Sequence, residues 1–251
     1  MKIIVTGGAG FIGSAFIRYV INNTEHSVLN IDKLTYSSNL DSLRSVSKND
    51  RYEFRQLDIC DSESIYKAMK EYKPSALINF AAESHVDKSI DTPEIFLQTN
   101  IIGTYQLLQS SLKYFKSFDC HGRDDFVFHH ISTDEVFGDI EEHDLPANES
   151  AKYSPNSPYS SSKAGSDHLV NAWHSTYKLP ILITNCTNNY GYFQHLEKLI
   201  PLMIFKAINK LPMPIYGDGM QIRDWLYVDD HVKAILLVLE KGNIGESYNI
   251  A

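Results

Sequence analysis

Cysteine is scarce in this sequence, and its scarcity argues against two classes of protein. The three cysteines, Cys60, Cys120 and Cys186, are far apart in a chain of 251 residues and lack the spacing of a metal site. Disulfide-stabilised secreted domains are rich in cysteine, and structural zinc sites place their cysteines in closely spaced pairs. We therefore expect reduced thiols, a cytoplasmic location and no bound metal.

Long apolar segments and a targeting segment are also lacking. The apolar stretch from Ala234 to Leu239 is too short to cross a membrane, and Met1 leads directly into a strand pattern rather than a signal peptide. The net charge of -8 disfavours nucleic acid as a partner. It does not exclude a nucleotide, because backbone amides and one or two arginines are enough to hold one. The sequence therefore predicts a protein that binds neither membrane nor nucleic acid.

Short β-rich runs alternate with helical patterns along most of the chain. Because 43% of the residues are hydrophobic, a sizeable core can form. This alternation predicts an α/β fold, in which a parallel sheet carries helices on both faces. The predicted strands are Lys2–Thr6, Ser27–Ile31, Tyr52–Leu57, Ala76–Phe80, Phe126–Ile131 and Ile181–Thr184. The predicted helices are Phe11–Asn22, Leu40–Val46, Ser62–Tyr72, Glu94–Phe115 and Ser160–Tyr177.

Three glycines follow the first predicted strand and open the first helix. Gly7, Gly10 and Gly13 form the pattern G-x-x-G-x-x-G, which occurs in structural turns but also lets a pyrophosphate approach a helix N-terminus. The second strand leads to Asp32, 19 residues after Gly13, where a carboxylate meets ribose hydroxyls and repels a 2′-phosphate. The pattern therefore predicts a Rossmann-type domain that binds NAD. The other predicted cofactor-binding residues are Phe11, Ile12, Lys33, Leu34, Thr35, Asp58, Ile59, Ala81, Ala82, Thr99, Tyr159, Lys163 and Asn189.

The regular pattern weakens after about Thr184. Pro201, Pro212 and Pro214 interrupt it, and a turn is predicted at Gly217-Asp218-Gly219. We expect residues 1–184 to form the NAD-binding domain and residues 185–251 a smaller substrate-side region that is interleaved with the last strands of the sheet. Because the sequence ends at Ala251 within a strand pattern, we expect this region to be incomplete.

Two predicted helices carry apolar seams, which allow two interpretations. Residues Ile101, Tyr105, Leu108, Leu112 and Phe115 recur at alternating spacings of four and three, as do Val170, Trp173 and Tyr177. Such seams are typical of helices that pack against a sheet. They also occur in helix pairs that meet a second copy in a four-helix bundle, which would make a homodimer.

A cluster of polar residues predicts the chemistry. Thr133, Asp134 and Glu135 follow a predicted strand, and Tyr159 and Lys163 share one helix face because they are four residues apart. We expect the lysine to lower the pKa of the tyrosine from its ordinary value of about 10, which would make Tyr159 a base for a sugar or alcohol hydroxyl. The adjacent carboxyl groups indicate that oxidation prepares a second reaction.

In combination these motifs resemble the extended short-chain dehydrogenase/reductases, and within them the dTDP-glucose 4,6-dehydratases. The resemblance covers essentially the whole chain. Besides the glycine loop and Tyr159-x-x-x-Lys163, it includes the segments 81–87 (AAESHVD), 132–138 (STDEVFG), 188–191 (NNYG), 197–201 (EKLIP) and 222–228 (IRDWLYV). The sequence departs from the family after Asn-Asn-Tyr-Gly, where Tyr192-Phe193 stands in place of Pro-Tyr, so we expect a different loop near the sugar.

The resemblance implies a redox-neutral dehydration of a nucleotide-linked hexose. Tyr159, assisted by Lys163 and Thr133, would deprotonate the 4-hydroxyl while NAD accepts hydride from carbon 4. Glu135 would remove the proton on carbon 5, Asp134 would protonate the departing 6-hydroxyl, and hydride would return to carbon 6. It also implies contacts with the nucleotide-sugar from Ser84, Thr133, Asn188, Lys198, Leu199, Pro214, Ile215, Tyr216 and Arg223.

Two other functions stay open at this point. A nucleotide-sugar 4-epimerase or uronate decarboxylase would share Tyr159 and Lys163 but would not need the acid and base at Asp134 and Glu135. An NAD-binding module without catalysis would bind the cofactor and leave the sugar unchanged. His85 is either a loop residue or a site residue, and for His129 and His130 a structural or cofactor-side role is favoured over metal binding.

Overall fold

A seven-stranded parallel sheet organises the computed structural model, which describes residues 1–118, 126–140, 143, 145–215 and 217–251. Its strand order is β3-β2-β1-β4-β5-β6-β9, and a separate two-stranded parallel sheet pairs β7 with β8. The strands are β1 (Lys2–Thr6), β2 (Ser27–Asp32), β3 (Tyr52–Gln56), β4 (Ala76–Asn79), β5 (Val127–Thr133), β6 (Ile181–Cys186), β7 (Asn188–Tyr190), β8 (Trp225–Tyr227) and β9 (Ser247–Ile250).

Helices cover both faces of the large sheet. They are α1 (Phe11–Asn23), α2 (Ser62–Tyr72), α3 (Val86–Asp91), α4 (Pro93–Phe96), α5 (Thr104–Lys116), α6 (Pro158–Tyr177), α7 (Leu199–Ile208) and α8 (Val228–Lys241). On one face Phe16 of α1 and Val232 of α8 join the core, and on the other Ile65, Leu107 and Val170 of α2, α5 and α6 do so. The predicted Rossmann-type fold class is therefore confirmed.

Two predicted helices are wrong in detail. The continuous helix Glu94–Phe115 is instead α4, a π-helical segment Leu97–Gly103 and α5. The irregular segment points Asn100 inward, where its side chain bonds both the backbone of Glu83 and the Ser162 hydroxyl. The helix predicted over Leu40–Val46 is a single 3₁₀ turn, Leu40–Leu43.

Three helices, α3, α7 and α8, are absent from the sequence-based prediction. Helix α3 is only six residues long. Helix α8 carries the apolar stretch 234–239, and its buried residues Val228, Val232, Ile235 and Leu236 have the spacing of one helix face. That pattern was readable in the sequence. Among the described residues, no helix has the length and apolarity to span a bilayer.

The two apolar seams meet each other inside the chain. Leu108 and Val170 are fully buried in the core beneath the sheet, and the rings of Tyr105 and Trp173 pack edge to face at 5.8 Å. At the end of its seam Tyr177 is 43% exposed. Packing against the sheet therefore accounts for most of the seam, and an apolar remainder faces outward.

Candidate active site

The carboxyl ends of the sheet strands open onto one cavity of about 600 Å³. Gly7 follows β1, Ala81 follows β4, Thr133 ends β5 and Cys186 ends β6, and all four line the cavity. In open parallel sheets ligands bind in this crevice, where the strand order reverses. Here the order reverses between β1 and β4, so the cavity lies where a ligand is expected.

The glycine loop shapes one wall of the cavity. Gly7 has φ of +70°, and a Cβ there would lie 2.6 Å from the backbone nitrogen of Ala81. The N-cap of α1 is Gly10, which has no side chain that could accept a hydrogen bond from the first-turn N–H groups. No acidic residue occupies the first turn of this helix. The first-turn N–H groups therefore present partial positive charge to the cavity.

Asp32 lies at the same wall and is held rigidly. Its Oδ2 accepts a hydrogen bond from the backbone of Ala9 at 3.0 Å, and its Oδ1 accepts from the backbone of Leu34 at 2.8 Å and from the Ser38 hydroxyl at 2.9 Å. The side chain is almost fully buried. Three of its roughly four acceptor positions are therefore filled, and one, on Oδ2, is left for a ribose hydroxyl.

The acidic pair begins a 3₁₀ turn directly after β5. The Thr133 hydroxyl caps that turn, because it accepts a hydrogen bond from the backbone of Glu135 and donates one to Asp134 Oδ1, both at 3.2 Å. The backbone oxygen of Thr133 accepts from the Asn185 amide at 3.2 Å. These bonds fix the Asp134 carboxyl group and the backbone of Glu135 at the cavity wall.

Tyr159 and Lys163 enter the cavity from the first two turns of α6. Ser157 and Ser160 form a capping box that fixes the start of this helix. The backbone N–H of Tyr159 donates to the Ser89 hydroxyl at 3.2 Å, and its buried ring packs edge to face on Phe96 at 6.4 Å. The Tyr159 hydroxyl lies beside that of Thr133.

The predicted pairing of Tyr159 with Lys163 is wrong in its electrostatics. Burial and the nearby charge of Glu135 raise the pKa of Tyr159 well above 10 instead of lowering it. The lysine ammonium donates to the backbone oxygen of Ile131 at 2.7 Å, and burial lowers its own pKa. A phenolate at neutral pH therefore requires positive charge beyond that of Lys163.

The two carboxyl groups have different electrostatic surroundings. Burial raises the pKa of Asp134, and burial together with the charge of Asp134 raises the pKa of Glu135. The positive charges of Lys198 and Arg223 act in the opposite direction on Glu135, whereas the charge of Asp224 raises the pKa of Asp134 further. Unequal surroundings of this kind let one carboxyl group act as acid and its neighbour as base.

Most of the predicted site residues line this one cavity. From the glycine loop and the β2 end these are Gly7, Gly10, Phe11, Ile12, Gly13, Asp32, Lys33 and Thr35. From the remaining elements they are Ile59, Ala81, Ala82, Ser84, Thr99, Thr133, Asp134, Glu135, Tyr159, Lys163, Asn188, Asn189 and Lys198.

A few predicted residues do not line it. Leu34 turns away with φ of +62°, and Asp58 faces outward, where its carboxylate lies 3.7 Å from the Lys33 ammonium. Leu199, Pro214, Ile215 and Arg223 also lie outside the lining. Tyr216 falls outside the described residues.

Sequence reasoning missed a segment that closes the cavity from the far side. Residues Phe193, Gln194, His195, Leu196 and Glu197 all line it. Glu197 is joined to Lys88 at 2.9 Å, and the Lys88 ammonium lies 3.7 Å from the centre of the Tyr36 ring. Lys88 and Glu197 are 109 residues apart, so their pairing leaves no local signal in the sequence. Cys186 and Thr187 also line the cavity, and their position at the end of a predicted strand could have indicated this.

The histidines singled out in the sequence occupy different surroundings. His85 caps α3 and lies 3.8 Å from Glu197. His129 and His130 are buried in β5, within hydrogen-bond distance of Thr184 and Ser166 respectively. Within the described ranges, no group of three histidine, cysteine or acidic side chains could hold a metal ion. Cys60 and Cys186 are free thiols, and Cys120 lies outside those ranges.

Comparison with known proteins agrees with this geometry. The family model described as GDP-mannose 4,6 dehydratase matches residues 4–251. A dTDP-glucose 4,6-dehydratase of Haemophilus influenzae is 57% identical over 100% of this chain and 74% of its own length. A crystal structure of the dTDP-glucose 4,6-dehydratase of Bacillus anthracis in complex with NAD is 43% identical, with a TM-score of 0.89 over 100% of this chain and 75% of that one.

A neighbouring activity gives a more distant match. The structure of a UDP-glucose 4-epimerase from Thermotoga maritima with UDP-glucose is 30% identical, with a TM-score of 0.87 over 100% of this chain and 76% of that one. The higher identity lies with the dehydratases. The chain therefore belongs to the dTDP-glucose 4,6-dehydratases, within the GDP-mannose 4,6-dehydratase family.

Proposed function

We propose that this protein dehydrates dTDP-glucose to dTDP-4-keto-6-deoxyglucose with NAD as a cofactor that is regenerated in each turnover. The observation that carries the proposal is the placement of Asp134 and Glu135 beside Tyr159 in the cavity that the glycine loop opens. An epimerase would need the tyrosine but not the two carboxyl groups. The similarity to dTDP-glucose 4,6-dehydratases at more than half identity supports dTDP-glucose as the substrate.

The chain fits NAD at the wall formed by the glycine loop. A Cβ at Gly10 would meet only the Gly7 carbonyl oxygen, at 3.2 Å, so the space in front of it is open for a phosphate. The uncapped start of α1 supplies N–H donors to that phosphate, and the fixed carboxylate of Asp32 suits the ribose of NAD rather than the 2′-phosphate of NADP.

Each polar residue of the cavity then has a role in the reaction. NAD held by the glycine loop and Asp32 would supply a hydride acceptor for sugar carbon 4, a hydride donor for carbon 6 and the positive charge that a Tyr159 phenolate requires. Tyr159 would then take the proton of the 4-hydroxyl, and Thr133 would hold the same oxygen. The resulting ketone acidifies carbon 5, Glu135 takes the proton there, and Asp134 gives a proton to the 6-hydroxyl, which leaves as water. When hydride reaches carbon 6, Glu135 returns a proton to carbon 5. The half-buried carboxyl groups are suited to this exchange because burial raises the pKa of both.

The substrate diphosphate is proposed to lie toward Lys198 and Arg223. Both charges act on Glu135: Lys198 lines the cavity, and its ammonium donates to the backbone oxygen of Ser84 at 2.8 Å, whereas Arg223 lies outside the lining. Arg223 is exposed and offers a planar fork of donors to a diphosphate. Residues 1–184 would then carry the cofactor, and residues 185–251 the substrate side.

Mass spectrometry tests the proposed reaction. The protein is incubated with NAD and, separately, with dTDP-glucose, UDP-glucose and GDP-mannose. We expect the loss of one water from dTDP-glucose and unchanged masses for the other two. An epimerase would leave every mass unchanged while altering the sugar, and a binding module without catalysis would change neither, so either result would contradict the proposal.

Two glycine variants separate folding from cofactor binding. Gly7→Ala forces a Cβ against the Ala81 backbone at a positive φ, so we expect a loss of about 2 kcal/mol or more in the free energy of unfolding. Gly10→Ala should cost less stability than Gly7→Ala, because φ at Gly10 is -78° and a Cβ there meets one backbone oxygen at 3.2 Å. It should weaken NAD binding about tenfold, because its methyl group takes the space of a phosphate oxygen. Urea unfolding and calorimetric NAD titration measure the two effects. Equal NAD affinity in Gly10→Ala and the parent would contradict the assignment of the phosphate site.

We propose that two copies of the chain associate through the outer side of α4, the π-helical segment that leads into α5, and α6. Ile95 of α4, Leu97 and Ile102 of the π-helical segment and Tyr177 of α6 are each at least 41% exposed, which leaves apolar surface for a four-helix contact between copies. Sedimentation should give a dimer for the parent and a monomer for Ile102→Lys with an unchanged circular dichroism spectrum. A monomeric parent would contradict the dimer.

The free thiols and the nucleotide-linked substrate favour a cytoplasmic location.

A further inference from the structure

Asp167 is a buried carboxylate that the proposed reaction does not use. It lies on α6 one turn after Lys163 and has no exposed surface. Its Oδ2 accepts hydrogen bonds from the Ser132 hydroxyl at 2.7 Å and the Tyr153 hydroxyl at 3.0 Å, and its Oδ1 faces His130 Nε2 at 3.4 Å. In the described part of the chain, no lysine or arginine forms an ion pair with it. A lone buried charge is expensive, so its partner has to be identified.

His130 does not supply the balancing charge. The Thr6 hydroxyl donates to Asn79 Oδ1 at 2.7 Å, which turns the Asn79 amide nitrogen toward His130 Nδ1 at 3.2 Å. Nδ1 therefore accepts. Burial lowers the pKa of His130 to about 4, so the ring is neutral at physiological pH and carries its single proton on Nε2. That N–H lies 3.2 Å from the Ser166 hydroxyl and 3.4 Å from Asp167 Oδ1, a buried oxygen without a hydrogen-bond partner among the described residues, so the ring brings no charge to the carboxylate.

The balancing charge lies beside the same imidazole nitrogen. Lys163 Nζ is 3.5 Å from His130 Nε2, and the lysine is 4% exposed. The other titratable groups near this pair are uncharged: burial raises the pKa of the Cys186 thiol to about 12, and it raises the pKa values of Tyr153 and Tyr159 as well. Lys163 and Asp167 are thus the charged groups of a buried cluster.

We propose that Asp167 is a positioning residue whose carboxylate balances the charge of the buried Lys163 ammonium beside His130 Nε2 and, by accepting a hydrogen bond from Ser132, fixes the end of β5 that carries Thr133. Burial lowers the pKa of Lys163 and so disfavours its ammonium form. Of the nearby charges that raise this pKa, that of Asp167 has the largest effect. The consequence for catalysis rests on the proposed function. The charge pairing itself does not.

A double-mutant cycle on stability tests the pairing without any substrate. Asp167→Asn leaves the ammonium unbalanced, and Lys163→Met leaves the carboxylate unbalanced, whereas the double variant leaves neither charge. If the two charges pair, the double variant should lose less stability than the sum of the losses in the two single variants. We expect its folding equilibrium constant to be at least tenfold larger than the value obtained by multiplying the two single effects. If a single variant fails to fold, the double variant should recover folding. Independent, multiplicative effects, or a double variant that also fails to fold, would overturn the pairing.

A pH profile tests the consequence for catalysis. In Asp167→Asn the pKa of Lys163 falls, so the ammonium is lost at a lower pH, and the alkaline limb of kcat/KM should move down by about one pH unit or more. Tyr153→Phe is the matched control, since it removes a hydrogen bond to the same carboxylate but not its charge, and its alkaline limb should not move. A uniform loss of activity at every pH in Asp167→Asn would mean a structural role only. If the parent shows no dehydration at all, the proposed function fails while the stability cycle still decides the pairing.

Discussion

Glu135→Gln is expected to bind NAD and dTDP-glucose, oxidise the sugar at carbon 4 and then stop. The amide has the size of the carboxylate but cannot take the proton from carbon 5, so turnover should fall by about 10²–10⁴-fold, the ordinary contribution of a general base. The hydrogen bond from the Glu135 backbone to the Thr133 hydroxyl does not involve the mutated group, so the turn should survive. Mass spectrometry should detect no loss of water, and NMR should detect no exchange of the carbon 5 hydrogen with solvent deuterium.

The pH dependence of the parent follows from the same residue. A base works only when it is deprotonated, and burial and Asp134 raise the pKa of Glu135 above its ordinary value of 4.5. As the pH falls through that raised pKa, the base is lost, so the acidic limb of kcat/KM should lie above pH 4.5. In Glu135→Gln the residual rate should not show this limb.

A matched variant distinguishes the role of Glu135 from a general effect of charge. Asp139→Asn removes an exposed carboxylate four residues away, whose charge also acts on Glu135. We expect it to keep turnover within about threefold of the parent, because Asp139 does not line the cavity. Unchanged exchange at carbon 5 in Glu135→Gln would remove Glu135 from the mechanism.

Tyr159→Phe should stop the reaction one step earlier. Without the phenol the 4-hydroxyl has no base, so the first hydride transfer should slow by about 10²–10⁴-fold. Rapid-mixing absorbance of the reduced cofactor should stay at baseline in this variant, whereas in Glu135→Gln it should rise and persist. The two variants thus divide the reaction at the 4-ketone.

The packing around Tyr159 makes this variant interpretable. The edge contact with Phe96 and the backbone hydrogen bond to Ser89 do not involve the phenol oxygen, so the thermal midpoint should change little. Tyr114→Phe is the matched control, since it deletes a buried hydroxyl that donates to the backbone of Pro74, outside the cavity lining. Accumulation of reduced cofactor in Tyr159→Phe would contradict the role of the phenol as base.

The fold and much of the cavity could be predicted because their signals are local. Strands with buried faces, glycines after β1 and polar residues at the ends of β2 and β5 are all read within a few residues of each other. Parallel strands then bring those ends to one edge. This is why Asp32, Glu135 and Tyr159, more than 100 residues apart at the extremes, could be assigned to one site from sequence.

The remainder depends on burial and on contacts between distant segments. The spacing of Tyr159 and Lys163 indicates a shared helix face, but it contains no information about the loss of solvent that raises one pKa and lowers the other. The closing segment around Glu197 is held by Lys88, and the motif at residues 197–201 does not indicate this distant partner. The role of Asp167 is likewise invisible until β5 and α6 are packed together.

Isotope transfer tests the central claim most directly. dTDP-glucose that carries deuterium on carbon 4 is converted in ordinary water, and the product is analysed by NMR. Because the hydride removed from carbon 4 is returned to the same sugar, we predict deuterium on carbon 6 of dTDP-4-keto-6-deoxyglucose, without dilution by solvent. A product without deuterium on carbon 6, because the label was washed out into water, or a sugar that keeps its 6-hydroxyl and its deuterium on carbon 4, would contradict the account.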